Sequence, residues 1–239
     1  MTELTLTKAA GLLLIAGAAI FWSIIVAAIV TTLRTGSLPF KDSAAVPPRE
    51  FYESIAAGPR WWQAVNLTFS TGIIVTAMGF ALLSTLLGEA GDPIFSELGL
   101  VAFLIAATVW VIQMVSNLSL ATWAADEVAS TGNVPPTAEA WPRAFELLVH
   151  TYMVLAYVAT ALFGAGIVAS GLLTGWAGWL AIIVGIAGAV SVIVTGPRLA
   201  IPLLIHVVPV VLGYSPGGPA RLTLPCTVWR DAAGRSALP

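Results

Sequence analysis

Residues 9–33 read AAGLLLIAGAAIFWSIIVAAIVTTL, without a single charge. A helix needs about 20 apolar residues in a row to cross the ~30 Å hydrocarbon layer of a bilayer, and this stretch exceeds that length. Five more apolar, nearly uncharged stretches follow, at 64–87, 98–125, 145–170, 176–195 and 199–213. All but the last reach spanning length. In lipid the backbone must satisfy its own hydrogen bonds, which leaves helices or closed barrels. Barrel strands alternate apolar and polar positions over ~10 residues, whereas these runs are continuous. The expected fold is therefore an all-α integral membrane protein, a bundle of about six transmembrane helices.

Composition points the same way. Hydrophobic residues make up 58% of the chain and charged residues 9%, against roughly 25% charged in soluble domains. Too few charges exist to clothe a water-facing surface. The net charge of −2 supplies no basic stripe for phosphates, so a nucleic-acid partner is not expected. Cys226 is the only cysteine, which excludes an intrachain disulfide and a Cys-rich metal site. Lys8 precedes a first run longer than the apolar core of a signal peptide, so that run is read as a retained helix. Residues 1–213 are expected to form one transmembrane domain and 214–239 a polar C-terminal tail. Gly217-Gly218, between Pro216 and Pro219, links the two. The Ala- and Gly-rich composition suggests a bacterial source, and hence a bacterial cytoplasmic membrane with the lipid bilayer as first partner.

The connections are unequal. Residues 34–63 and 126–142 are long and rich in Pro, Gly and acidic residues, while 88–97, 171–175 and 196–198 are short. Six spans would put both termini on one face and the long loops on the other. Within the first loop, Pro47-Pro48-Arg49-Glu50-Phe51-Tyr52-Glu53-Ser54-Ile55 has the Pro start and mixed pattern of a short helix. It is expected to lie along the headgroups. Trp61, Trp62, Trp123 and Trp141 on the long-loop face, and Trp176 and Trp179 on the other, fall where aromatic belts belong. Basic residues divide between the faces and leave the orientation undecided. Gly164, Gly166 and Ser170 on the fourth run and Gly178, Gly185 and Gly188 on the fifth would let two helices approach closely. The sixth run, only ~22 Å long at 1.5 Å per residue, contains Pro202 and Pro209. It is expected to be interrupted or re-entrant.

Polar groups inside such runs are costly, so their placement is informative. Gln113, Ser116 and Asn117 form an i, i+3, i+4 set on the third run. His150, Tyr152 and Tyr157 lie in the fourth and His206 in the sixth. Counted from the long-loop face at ~3.6 residues per turn, Asn117, His150 and His206 share one depth. Gln113, Ser116, Asn117, His150, Tyr152 and His206 are therefore expected to line one polar cavity between the third, fourth and sixth runs. A sharper expectation makes His150 and His206 the axial ligands of a b-type haem. Arg143 and Arg198, two turns toward the surface, would then pair its propionates. In the plainer alternative each histidine hydrogen-bonds within the bundle. A metal ion would need about four N, S or O ligands, and no carboxylate accompanies the histidines at depth.

Catalytic patterns are missing from the sequence. No serine sits in a Gly-x-Ser-x-Gly elbow, and no mid-run Asp, Glu or Lys offers a proton path. Three classes of function follow. The first is a non-catalytic subunit or accessory protein of a membrane complex, with other membrane-protein subunits as partners. The second is a small-molecule carrier using the polar cavity. The third is a haem or quinone redox protein.

Overall fold

Proline opens three of the helices and stands second in a fourth. It has no amide hydrogen to leave unbonded in the first turn, and its fixed φ suits that position. The computed structural model describes residues 6–36, 46–196 and 206–214. Its helices are α1 (Leu6–Thr35), α2 (Pro48–Ala57), α3 (Pro59–Glu89), α4 (Pro93–Ser116), α5 (Thr122–Thr131), α6 (Trp141–Ser170), α7 (Gly175–Thr195) and α8 (Val207–Tyr214). A π-helical turn, Asn117–Ala121, joins α4 to α5, and a 3-10 turn, Pro136–Ala138, precedes α6. Gly132 and Gly171 end α5 and α6 in the left-handed conformation, at φ 76° and 64°. Their amides close back on the Val128 and Ile167 carbonyls. A side chain at either position would be strained, which makes glycine the natural stop.

Five helical segments are long and apolar enough to cross a membrane: α1, α3, α4 continued through the π-turn into α5, α6 with the 3-10 turn before it, and α7. The expected sixth run is described only from His206 onward. There α8 has 8 residues and rises about 12 Å; residues 199–205, with Pro202, lie outside the described residues, as does the tail beyond 214. The described part of the chain therefore supports five spans and one short helix.

The helices pack in the order α1–α3–α4–α6–α7, and α8 lies against α1 with a lighter contact to α7. This last contact folds the row into a ring. Its outer surface is apolar: Leu12, Ile29, Val115, Leu147, Ile183 and Val194 are all exposed. Polar side chains turn the other way, with Asn66, Thr76, Gln113, Asn117, Thr160 and His206 buried. Water would not tolerate so broad an apolar exterior, while hydrocarbon would. The glycines of the fourth and fifth runs do bring α6 and α7 together. A Cβ on Gly164 would lie 2.6 Å from the Gly178 carbonyl oxygen. Gly166 faces elsewhere, toward Asp92 in the α3–α4 turn.

A second, smaller core sits at the long-loop end. Phe51, Tyr52 and Ile55 of α2 pack on Trp62 of α3, on Ala124, Ala125 and Val128 of α5, and on Ala138. The sequence ended the third helix near residue 125; the helix continues to Thr131, and α2 buries its apolar face against that extension. Asp126, which looked like a loop charge, is exposed on the outer side of α5.

The Tyr52 hydroxyl donates to the Ala138 carbonyl at 2.7 Å. Burial pushes this phenol from about 10 up to about 12, because the phenolate would lose its water. The unfolded cap gives up the same proton near 10, so the native cap prefers the neutral form. Its stabilising effect is complete below pH ~10 and fades as pH rises through ~12. A titration followed by tyrosinate absorbance should show a late-ionising phenol that Tyr52→Phe removes. Identical titrations of the two proteins would contradict this packing.

Candidate functional site

Trp110, Gln113 and Asn117 follow one another on a single face of α4, at i, i+3 and i+7, and all three are buried. They face α3 and α6 across the middle of the ring. The face carries two levels of different character.

The upper level is a closed set of hydrogen bonds around the π-turn. Asn117 Nδ2 donates to Asn66 Oδ1 at 2.9 Å, and Asn66 Nδ2 donates to the Trp62 carbonyl at 2.8 Å. Trp62 Nε1 returns to the Asn117 carbonyl at 3.1 Å. From α6, Trp141 Nε1 donates to Asn117 Oδ1 at 3.2 Å. A π-turn inserts an extra residue into the helical ladder and re-aims the groups around it. Here it coincides with the carbonyl that Trp62 reaches. Both side-chain atoms of Asn117 are used, so this level ties three helices together rather than binding anything else.

The lower level is aromatic. The Phe21 ring of α1 stacks on His206 with centroids 3.5 Å apart. The Tyr152 hydroxyl of α6 lies 3.4 Å from His206 Nε2. Trp110 packs at 4.6 Å from the Tyr152 ring, and Phe69 of α3 at 4.6 Å from Phe21 and 6.0 Å from Trp110. Gln113 sits one turn from Trp110 and one turn from Asn117, between the levels.

Several polar atoms here are buried without a hydrogen-bond partner among the described residues: both amide atoms of Gln113, Nε1 of Trp110 and Nδ1 of His206. Gln113 is 0% exposed and His206 1%. An unpaired buried polar atom costs about 1–3 kcal/mol, and native proteins hold few of them. Chemically the set offers donors at the indole N–H and the Gln113 amide, plus an acceptor at Gln113 Oε1. When the Tyr152 hydroxyl donates to Nε2, the neutral imidazole adds a further donor at Nδ1. Such a set can hold an uncharged molecule rich in oxygen acceptors.

The expected cavity residues are therefore divided. Tyr152 and His206 belong to the lower level, Asn117 to the upper one, and Gln113 stands between them. Asn117 stands two turns, about 10 Å, along α4 from Trp110, so it does not share a depth with His206. Ser116 bonds the Ile112 carbonyl of its own helix at 2.9 Å and turns away from both levels. His150 is half-buried and precedes Tyr152 by two positions, which sets them ~200° apart around α6. His150 thus lies on a different face of α6 from Tyr152, the residue that meets His206. Arg143 lies on a surface groove with Arg49, Glu139 and Glu146, and Arg198 lies outside the described residues. The haem expectation gains no support from this placement.

Phe21, Trp62, Asn66, Phe69, Trp110 and Trp141 were not among the expected site residues. Asn66 was legible as a polar residue in an apolar run. Trp110 could have been found at i−3 from Gln113. Trp62 and Trp141 looked like belt residues, yet they turn inward, while Trp123, Trp176 and Trp179 are exposed as belts require. No protein-family model matches the chain, and comparison with curated proteins and with solved structures finds no match.

Proposed function

We propose that the chain is a multi-pass membrane protein that holds a small uncharged molecule inside its helix bundle, as a carrier or binding protein for it. One observation carries this reading: Gln113, Trp110 and His206 keep unpartnered polar atoms in a buried aromatic layer. Unpaired buried atoms of this kind cost about 1–3 kcal/mol, a burden that a bound molecule with matching atoms would relieve. The surrounding rings of Phe21, Phe69 and Tyr152 favour an apolar or flat body, and the donors favour carbonyl or hydroxyl oxygens.

Replacing Gln113 tests the reading in two ways. Gln113→Leu removes an unpaired buried amide and keeps most of its volume. The unliganded protein should therefore gain about 1–3 kcal/mol of stability. The same variant should lose the thermal stabilisation that uncharged carbonyl probes, from acetamide to benzoquinone, give the unmodified protein. A destabilised Gln113→Leu protein that still responds fully to these probes would overturn the proposal.

A second reading, a subunit of a membrane complex, is favoured by the cap. There α2 and α5 form their own small core beside a groove of about 840 Å³ lined by Arg49, Arg143, Glu139 and Glu146. A partner retained at a fixed ratio through purification, and released by charge reversal at Arg143, would support it.

A further inference from the structure

The polar atoms of the aromatic layer have an apolar neighbour. On the outside of the ring, between α1 and α3, runs a groove of about 330 Å³ lined by Ile24, Ile25, Ala28, Ile29, Val65 and Phe69. Its surface is almost wholly apolar. Thr32, also on its wall, spends its hydroxyl on the Ala28 carbonyl at 2.8 Å. Ile29 is exposed at the rim, so the groove opens toward whatever surrounds the bundle. An apolar cavity of about 150 Å³ already takes benzene, and this one is larger.

Phe69 belongs to both places. It lines the groove, and its ring meets Phe21, which covers His206, and Trp110, whose indole nitrogen is unpartnered. Phe69 is thus the side chain that the groove and the aromatic layer share. On its outer side lies an apolar groove suited to a chain, and on its inner side lie hydrogen-bond donors suited to a head.

We infer that the bound molecule is lipid-soluble, with an alkyl or prenyl chain in the α1–α3 groove and an uncharged, carbonyl-bearing head at Gln113, Trp110 and His206, reached from the bilayer past Phe69. This inference rests on the binding function proposed above and adds the class of ligand and its route. A charged head is disfavoured, since among the described residues neither the groove nor the aromatic layer carries a charged side chain to pair with it. A water-soluble ligand would leave the groove unexplained.

Two probes test it on the full chain in phosphatidylcholine nanodiscs: a benzoquinone bearing a decyl chain, and the same ring with a methyl group in place of that chain. Binding is read from the quenching of tryptophan fluorescence and from thermal stabilisation. The decyl compound should bind the unmodified protein more tightly than its membrane partitioning alone explains. Ala28→Phe, which fills the groove, should weaken the decyl compound by roughly tenfold and leave the short compound unaffected. Unchanged affinity for the short compound also shows that the bundle is still folded. The smaller change Ala28→Leu should act in the same direction. Gln113→Leu should weaken both compounds.

If Gln113→Leu weakens both but Ala28→Phe and Ala28→Leu leave the decyl compound untouched, the groove plays no part. This inference then falls while the binding function stands. If neither compound depends on Gln113, the binding function falls with it.

Discussion

Asn117→Leu is expected to destabilise the protein by roughly 2–4 kcal/mol. The substitution keeps the volume but strands Asn66 Oδ1, which accepts from Asn117 Nδ2 at 2.9 Å, and Trp141 Nε1, which donates to Asn117 Oδ1 at 3.2 Å. Asn66 is 2% exposed, so no water replaces the lost donor. Interhelical hydrogen bonds in membrane proteins average only about 0.6 kcal/mol when both partners are considered. The larger figure applies here because one partner is left behind in a sealed position. Removing both partners should therefore cost less than removing one. Asn66→Leu combined with Asn117→Leu is expected to recover part of the loss, giving a favourable coupling energy between the two sites. Reversible unfolding in mixed micelles would measure all three variants. A single-variant cost near 0.6 kcal/mol, with no recovery in the double variant, would mean that the closed set of bonds does not hold α3, α4 and α6 together.

Equally large effects are expected where α6 and α7 touch. A Cβ on Gly185 would lie 2.6 Å from the Ala161 amide nitrogen and 2.7 Å from the Tyr157 carbonyl oxygen. Both are backbone atoms of a helix, so neither can rotate away. On the same interface a Cβ at Gly188 would run into the Tyr157 ring, and one at Gly164 into the Gly178 carbonyl. Overpacking of this kind costs about 1–3 kcal/mol for a single methyl group, and Gly185→Leu should exceed that range. Gly88 supplies the control. It lies within α3, and an added Cβ there meets nothing within 4 Å. Gly88→Ala should stabilise the protein by about 0.5–1 kcal/mol, through the reduced freedom of the unfolded chain. Thermal midpoints of Gly185→Ala and Gly88→Ala should therefore shift in opposite directions. Equal shifts would show that α6 and α7 are not in backbone contact.

Much of the bundle was legible because run length carries the information. A helix hydrophobic on every side needs no periodicity to be recognised, and each of the first five runs lies within one of the five long helical segments. The glycines of the fourth and fifth runs announced the α6–α7 contact, since only small residues allow backbones so close. Pro48 with Phe51, Tyr52 and Ile55 announced α2. The same signals failed where one residue type has two uses. Tryptophan suits a headgroup belt and also a buried bond to a carbonyl. Trp62 and Trp141 adopt the second use because Asn117 lies within reach of both. Asp126 and Glu127 looked like loop charges because their run had become polar. They sit on a helix whose other face, Ala124, Ala125 and Val128, is covered by α2.

The histidines mark the limit most clearly. Depth along a helix can be counted from sequence, and His150 and His206 were matched on that basis. Which way a side chain points depends on the helix's rotation about its axis, and that angle is fixed only by what packs beside it. Tyr152, two positions from His150, meets His206, while His150 faces another direction.

The sequence by itself determined that the chain is helical, that five of its segments can span a bilayer, and that its few hydrogen-bonding groups had to turn inward. These follow from composition and run length, because water and hydrocarbon reject the alternatives. Only the tertiary structure decided which inward groups find each other. Asn117 closes on Asn66, Trp62 and Trp141, while Gln113, Trp110 and His206 are left with atoms to spare. The physical reason is that lipid-facing helices are alike to the solvent around them, and pairing among polar residues is settled by rotation and neighbour, which no single helix encodes.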